Sequence, residues 1–306
     1  MIDQANRLRT LMRQQAEQAM QPSREGPGLV VVAGGKGGVG TTTVAIHLAL
    51  AMARQCDRGL LVDADPDRAD VATLCGLRAD RDLVDLAAAR RPLDEVLVPG
   101  PDGIVVVHGA GRAVADQTPI DRFHQRWIAT VADAEEPFDH VIVDAGNGST
   151  DSVKTLWQAA DLVLLVTTAE LPSIMDAYAS MKTLADRAAP PAIHTLVNRV
   201  NEPAVAYDVH GRLARAAWRF LGFHLSSAGY LAAGAVGSRL VSEERTGGQI
   251  EPSSDLARDF GQLARTLRAA LNDSKSRFWS AKKRDPSELT NGEAVELASD
   301  LQENTI

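Results

Sequence analysis

Six short runs rich in Val, Leu and Ile recur along the chain: LVVVAG, GLLVDAD, GIVVVHG, HVIVDAG, LVLLVTT and IHTLVNRV. Helical patterning fills the stretches between them. A continuous apolar run bounded by turns reads as a strand covered on both faces, and strands that alternate with helices lie parallel. The implied fold class is α/β, a doubly wound, mainly parallel sheet with helices on both faces. With 306 residues, 45% of them apolar, the chain has ample material for such a core, as one large domain or two small ones.

The first run starts at Leu29, and what precedes it has a different character. Residues 1–21 carry Ile2, Ala5, Leu8, Met12, Ala16 and Met20 at three- or four-residue spacing, which predicts a helix with one narrow apolar stripe. A lone helix of that length is marginal in water, so it is expected to order on a partner or on its own domain. Residues 22–28 contain two prolines and two glycines and read as a linker. The folded domain is expected over 29–272. Its last helix carries Leu256, Phe260, Leu263, Leu267 and Leu271 along one face, which should pack on the core. Residues 273–306 turn polar through KSRFWSAKKR into an acidic end, and are expected to be largely disordered.

No run approaches the roughly 20 apolar residues of a membrane span, and MIDQANRLRT lacks the apolar centre of a signal peptide. The expected location is the cytoplasm. Cys56 and Cys75 form no C-x-x-C pair, so neither a disulfide framework nor a zinc site is indicated. A net charge of -8 argues against a broad nucleic-acid-binding surface, which needs clustered Lys and Arg.

The stretch GGKGGVGTTT, residues 34–43, follows an apolar strand and opens a helix. That is the context of a phosphate-binding loop G-x-x-x-x-G-K-[ST], in which backbone N–H groups and the helix N-terminus cradle phosphate. Gly35 and Gly40 stand at the required spacing, with Lys36, Gly37, Gly38 and Val39 between them. Thr42 takes the Mg²⁺-binding hydroxyl position and Thr43 follows it. Thr41 occupies the position of the lysine. Two further runs end in carboxylates. LLVDAD places Asp63 and Asp65 on the same side of an extended segment, and HVIVDAG ends in Asp144 followed by Gly146. Carboxylates beside a magnesium–phosphate site hold metal-bound water or orient the attacking one.

In this order the loop and the carboxylates resemble the MinD/ParA superfamily of P-loop ATPases with a deviant Walker A loop. Lys36 stands where that superfamily carries an additional lysine that crosses the interface of an ATP-sandwiched dimer. The resemblance implies ATP and Mg²⁺ as cofactors. It also implies roles: Asp65 orients the attacking water, Thr42, Asp63 and Asp144 support the metal, and Asn198 in LVNRV contacts adenine. Two more stretches resemble the FlhG/FleN group of flagellar regulators. DQANRLR, with Asp3, Gln4, Ala5, Leu8 and Arg9, matches the group's N-terminal D-Q-A-x-x-L-R element. TTAELPSIMDAY looks like T-T-P-E-P-T-S-I-x-D-A-Y, with Ala169 in place of the first proline. The implied partners are a second copy of the chain in the ATP-bound state, an FlhF-like GTPase bound through the N-terminal helix, and other flagellar assembly or regulatory proteins.

Two departures qualify the resemblance. Thr41 removes a cation from the β/γ phosphates, and a neutral hydroxyl does not replace it. Nucleotide binding is expected to survive and fast hydrolysis is not. In the tail, Phe278 and Trp279 with Lys282, Lys283 and Arg284 make a short basic element, expected to touch the inner face of the membrane weakly if at all. Three readings stand: a nucleotide-switched regulator of flagellar number or placement, a scaffold that binds nucleotide without turnover, and a DNA-partition ATPase of ParA type. The third leaves DQANRLR unexplained.

Overall fold

The computed structural model describes residues 27–55, 58–78, 80–109, 120–148, 150–183, 191–233 and 254–273. The N-terminal segment 1–21 with Asp3, Gln4, Ala5, Leu8 and Arg9, and the stretch from Phe278 to Arg284, lie outside them. All six apolar runs are strands: β1 (Gly28–Gly34), β2 (Gly59–Asp63), β4 (Val105–Val107), β5 (His140–Asn147), β6 (Leu162–Thr167) and β7 (Ala192–Val197). Two edge strands join them, β3 (Val98–Pro99) and β8 (Ser226–Tyr230). The sheet order is β3-β4-β2-β5-β1-β6-β7-β8. Every pairing is parallel except β3 with β4.

Side chains alternate across a strand, so each run serves two cores. In β1, Leu29, Val31 and Ala33 face one side, with Leu60, Val62, Val141, Val143, Val163 and Leu165 of the neighbouring strands. Val30 and Val32 face the other, with Leu61, Ile142, Leu162, Leu164 and Val166. Helix α1 (Thr41–Ala53) covers this second face, and its buried residues run almost continuously from Val44 to Met52. The short helices α2 (Val71–Leu74), α3 (Leu83–Ala87) and α4 (Leu93–Val96) follow β2. Helices α5 (Ile120–Ala132), α6 (Asp151–Ala159), α7 (Leu171–Lys182) and α8 (Pro203–Ala216) send Trp127, Leu156, Met181 and Leu213 into the first face.

Helix α9 (Asp255–Asp273) lies beside α1. Its predicted stripe is buried at Leu256, Phe260, Leu263 and Leu267, with Leu271 packed at the margin. Fully burying one such leucine stabilises the fold by roughly 1.5 to 3 kcal/mol, so this helix belongs to the core.

From β1 the chain passes to β2 on one side and, after β5 has inserted between them, to β6 on the other. The strand order therefore reverses at the carboxyl end of β1, the place where open α/β sheets bind ligands.

Candidate functional site

The glycine loop sits at that reversal. Gly38 and Gly40 adopt left-handed backbone with φ of 82° and 97°, conformations that glycine reaches at little cost. Gly40 ends the loop as the N-cap of α1, so the first amides of that helix have no side-chain cap and face the loop. Gly35 is required for a different reason: a Cβ there would collide with the backbone of Asp176 and Ala177 in α7. Val39 and Thr41 are buried, and the Thr41 hydroxyl lies against Gly34 at the end of β1. Lys36 is at the mouth of the loop, 3.5 Å from Glu170, with the two side chains 40% and 68% exposed. An ion pair so solvated holds Lys36 weakly and leaves it available.

The three carboxylates converge from adjacent strands. Asp63 and Asp144 are register partners across β2 and β5. Asp63 accepts hydrogen bonds from the backbone N–H of Asp65 at 3.3 Å and of Val71 at 3.1 Å. Burial, then the neighbouring Asp144 charge, pushes its pKa up to about 8. Asp144 accepts from the Gly146 N–H at 3.2 Å through Oδ1, while its Oδ2 is buried with no partner. Burial lifts Asp144 to about 7, against the opposing pull of the Thr42 hydroxyl. Asp65 stands further out and accepts from the Asp67 and Arg68 N–H groups at 2.8 and 3.2 Å, with its pKa raised by burial. Gly146, at φ 70°, lies so close to the Asp65 carboxylate that a Cβ would collide with it.

A buried acceptor without a donor, beside a hydroxyl and two more carboxylates, fits a divalent cation or a water bound to one. Among the described residues no group of three His, Cys, Asp or Glu side chains could hold a metal ion by itself. Mg²⁺ keeps most of its water and takes one or two protein oxygens together with phosphate.

The structure thus brings Gly35–Thr43, Asp63, Asp65, Asp144 and Gly146 together at one end of the sheet. Asn198 joins them from the end of β7. It is 1% exposed, and its Nδ2 donates to the Val39 carbonyl at 2.8 Å. Two neighbours escaped the sequence reading. Glu170 lies in the segment TTAELPSIMDAY, the one signal that could have flagged it. Gly109, after β4, would bring a Cβ within 3.2 Å of the Asp63 carboxylate, and no local pattern points to that approach.

A glycine loop leading into a helix at the switch point of a parallel sheet, flanked by strand-end carboxylates, defines a P-loop nucleotide-binding protein. The chain belongs to the CobQ/CobB/MinD/ParA nucleotide binding domain family, whose model matches residues 30–281. It is 33% identical to the antiactivator FleN of Pseudomonas aeruginosa over 241 residues, 78% of this chain and 85% of FleN. It is 22% identical to the flagellum site-determining protein YlxH of Helicobacter pylori over 280 residues, 89% of this chain and 92% of YlxH. Its fold matches that of the septum site-determining protein MinD complexed with Mg-ADP from Pyrococcus horikoshii. That match has a TM-score of 0.62 and 19% identity, covering 81% of this chain and 98% of the other. No helix among the described residues is long and apolar enough to cross a membrane.

Proposed function

We propose that this protein is a nucleotide-switched regulator of flagellar number or placement that binds Mg-ATP where two copies meet and hydrolyses it slowly. The observation that carries the reading is the convergence of the glycine loop, Asp63, Asp65 and Asp144 at the switch point. The similarity to FleN and YlxH supplies the flagellar context.

In this reading the loop amides from Gly35 to Thr43 hold the phosphates. Thr42 and Asp144 hold the cation, with Asp63 behind them, and Gly146 keeps room for Asp65. The cation, when bound, supplies positive charge at the β and γ phosphate oxygens. Asp65 orients water, Asn198 lies towards the base, and Lys36 leaves Glu170 to reach the other copy. The domain spans 29–272. The preceding segment 1–21 contacts an FlhF-like GTPase through Asp3, Gln4, Ala5, Leu8 and Arg9, and the protein works in the cytoplasm with at most weak lipid contact by its tail. Thr41 favours one second reading, a scaffold of the same fold that holds nucleotide without turnover, because the loop lacks its usual cation.

Measuring the molar mass in solution with Mg-ATP, with Mg-ADP and without nucleotide tests the switch. A dimer with Mg-ATP that returns to monomer with Mg-ADP is the expected result. A mass that ignores nucleotide under all three conditions would contradict it.

A further inference from the structure

Asn198 is tied at three points. Its backbone N–H donates to the Thr167 carbonyl at the end of β6 at 2.7 Å. Its Oδ1 accepts from the N–H of Arg199 at 2.9 Å, a residue held at the left-handed φ of 60°. Its Nδ2 reaches 159 residues back in the sequence to the Val39 carbonyl at 2.8 Å. The fit is close: a Cβ on Gly40 would lie 2.6 Å from that nitrogen. The amide is therefore a strut between the rigid ends of β6 and β7 and the middle of the glycine loop.

A trans peptide is planar, with its carbonyl and the following N–H pointing in opposite directions. Holding the Val39 carbonyl towards Asn198 consequently fixes the Gly40 N–H on the far side. Gly38 and Gly40 flank this segment in left-handed backbone, where glycine opposes a peptide flip only weakly. The buried Val39 side chain and the Gly40 carbonyl, which accepts from the Val44 N–H at 2.9 Å, anchor the segment on either side, and the Asn198 amide holds the carbonyl of the peptide between them.

We propose that Asn198 is a positioning residue that sets the conformation of the phosphate loop, and so controls the binding of phosphate chains whether or not a base is attached. The binding part rests on the nucleotide reading above; the conformational part does not. A residue that only contacted adenine would leave a base-free ligand unaffected.

The test is Asn198→Ala in the full chain with two readouts. In the nucleotide-free protein, the backbone amide order parameters over residues 35–43 should fall below about 0.6, while the strands keep wild-type values of about 0.85. In titrations with Mg²⁺ present, the affinities for ATP and for inorganic tripolyphosphate should fall together by about tenfold. Unchanged loop order parameters, or a fall spread equally over the sheet, would overturn the proposal. So would a fall in ATP affinity alone. If the wild type binds neither ligand, the nucleotide reading fails and the loop order parameters alone decide the role of Asn198.

Discussion

Gly35 and Gly146 show how closely single residues set this site. Both are motif glycines in the sequence, yet their reasons are tertiary: α7 crosses one and the Asp65 carboxylate touches the other. Gly35→Ala forces the loop and α7 apart and should cost about 1 to 3 kcal/mol in urea unfolding, the range of an overpacked core. Gly146→Ala adds left-handed strain to a collision with a side chain, which can swing away. It should therefore spare most of the stability and displace Asp65, lowering turnover more than Mg-ATP affinity; equal losses in both would argue against Asp65 as the water-orienting group. The meeting of the loop and the three aspartates was legible because each follows or ends an apolar run that reads as a parallel strand. The Asn198 tether was not, since a hydrogen bond between residues 39 and 198 leaves no local pattern.

At the scale of elements, apolar content decided what could be read. The six runs that became strands are buried on both faces, whereas β8, with the sequence SSAGY, is a partly exposed edge strand and β3 has two residues. Small polar residues at an edge carry little burial signal. Polar contacts between helices were equally silent. Trp127 donates its indole N–H to Nδ1 of His124 at 3.0 Å, so the proton of this ring sits on Nε2, which donates to Ser152 Oγ at 2.8 Å and links α5 to α6. Burial drives the His124 pKa down to about 4. A depressed imidazole pKa contributes stability that is present above the unfolded value near 6.5 and is lost as pH falls towards 4. Asp63 and Asp144 act in the opposite sense, since carboxylates with raised pKa values stabilise the cation-free fold as pH falls from about 8. The histidine is therefore read as a difference. His124→Gln should lose about 2 kcal/mol less than wild type between pH 7 and pH 5 in unfolding measured without Mg²⁺. Identical pH dependence in the two proteins would show that His124 does not titrate on unfolding.

As a whole, the molecule is a member of the MinD/ParA nucleotide-binding family whose glycine loop carries Thr41 in place of the usual cation. In phosphoryl transfer the protein contributes mostly positioning and electrostatic stabilisation, so a missing positive group weakens the transition state more than the bound ground state. One such group is worth about 3 to 4 kcal/mol, or about 100- to 1000-fold in rate. Thr41, at the lysine position of the motif, is buried with its hydroxyl against Gly34. Steady-state turnover of Mg-ATP by wild type, Thr41→Lys and the double variant Thr41→Lys/Asp65→Ala tests this most directly, with affinity measured alongside. Wild type should bind Mg-ATP and turn it over slowly, Thr41→Lys should be faster by about 100-fold or more, and the double variant should lose the gain. Wild-type turnover equal to that of Thr41→Lys, or no binding of Mg-ATP by either protein, would contradict it.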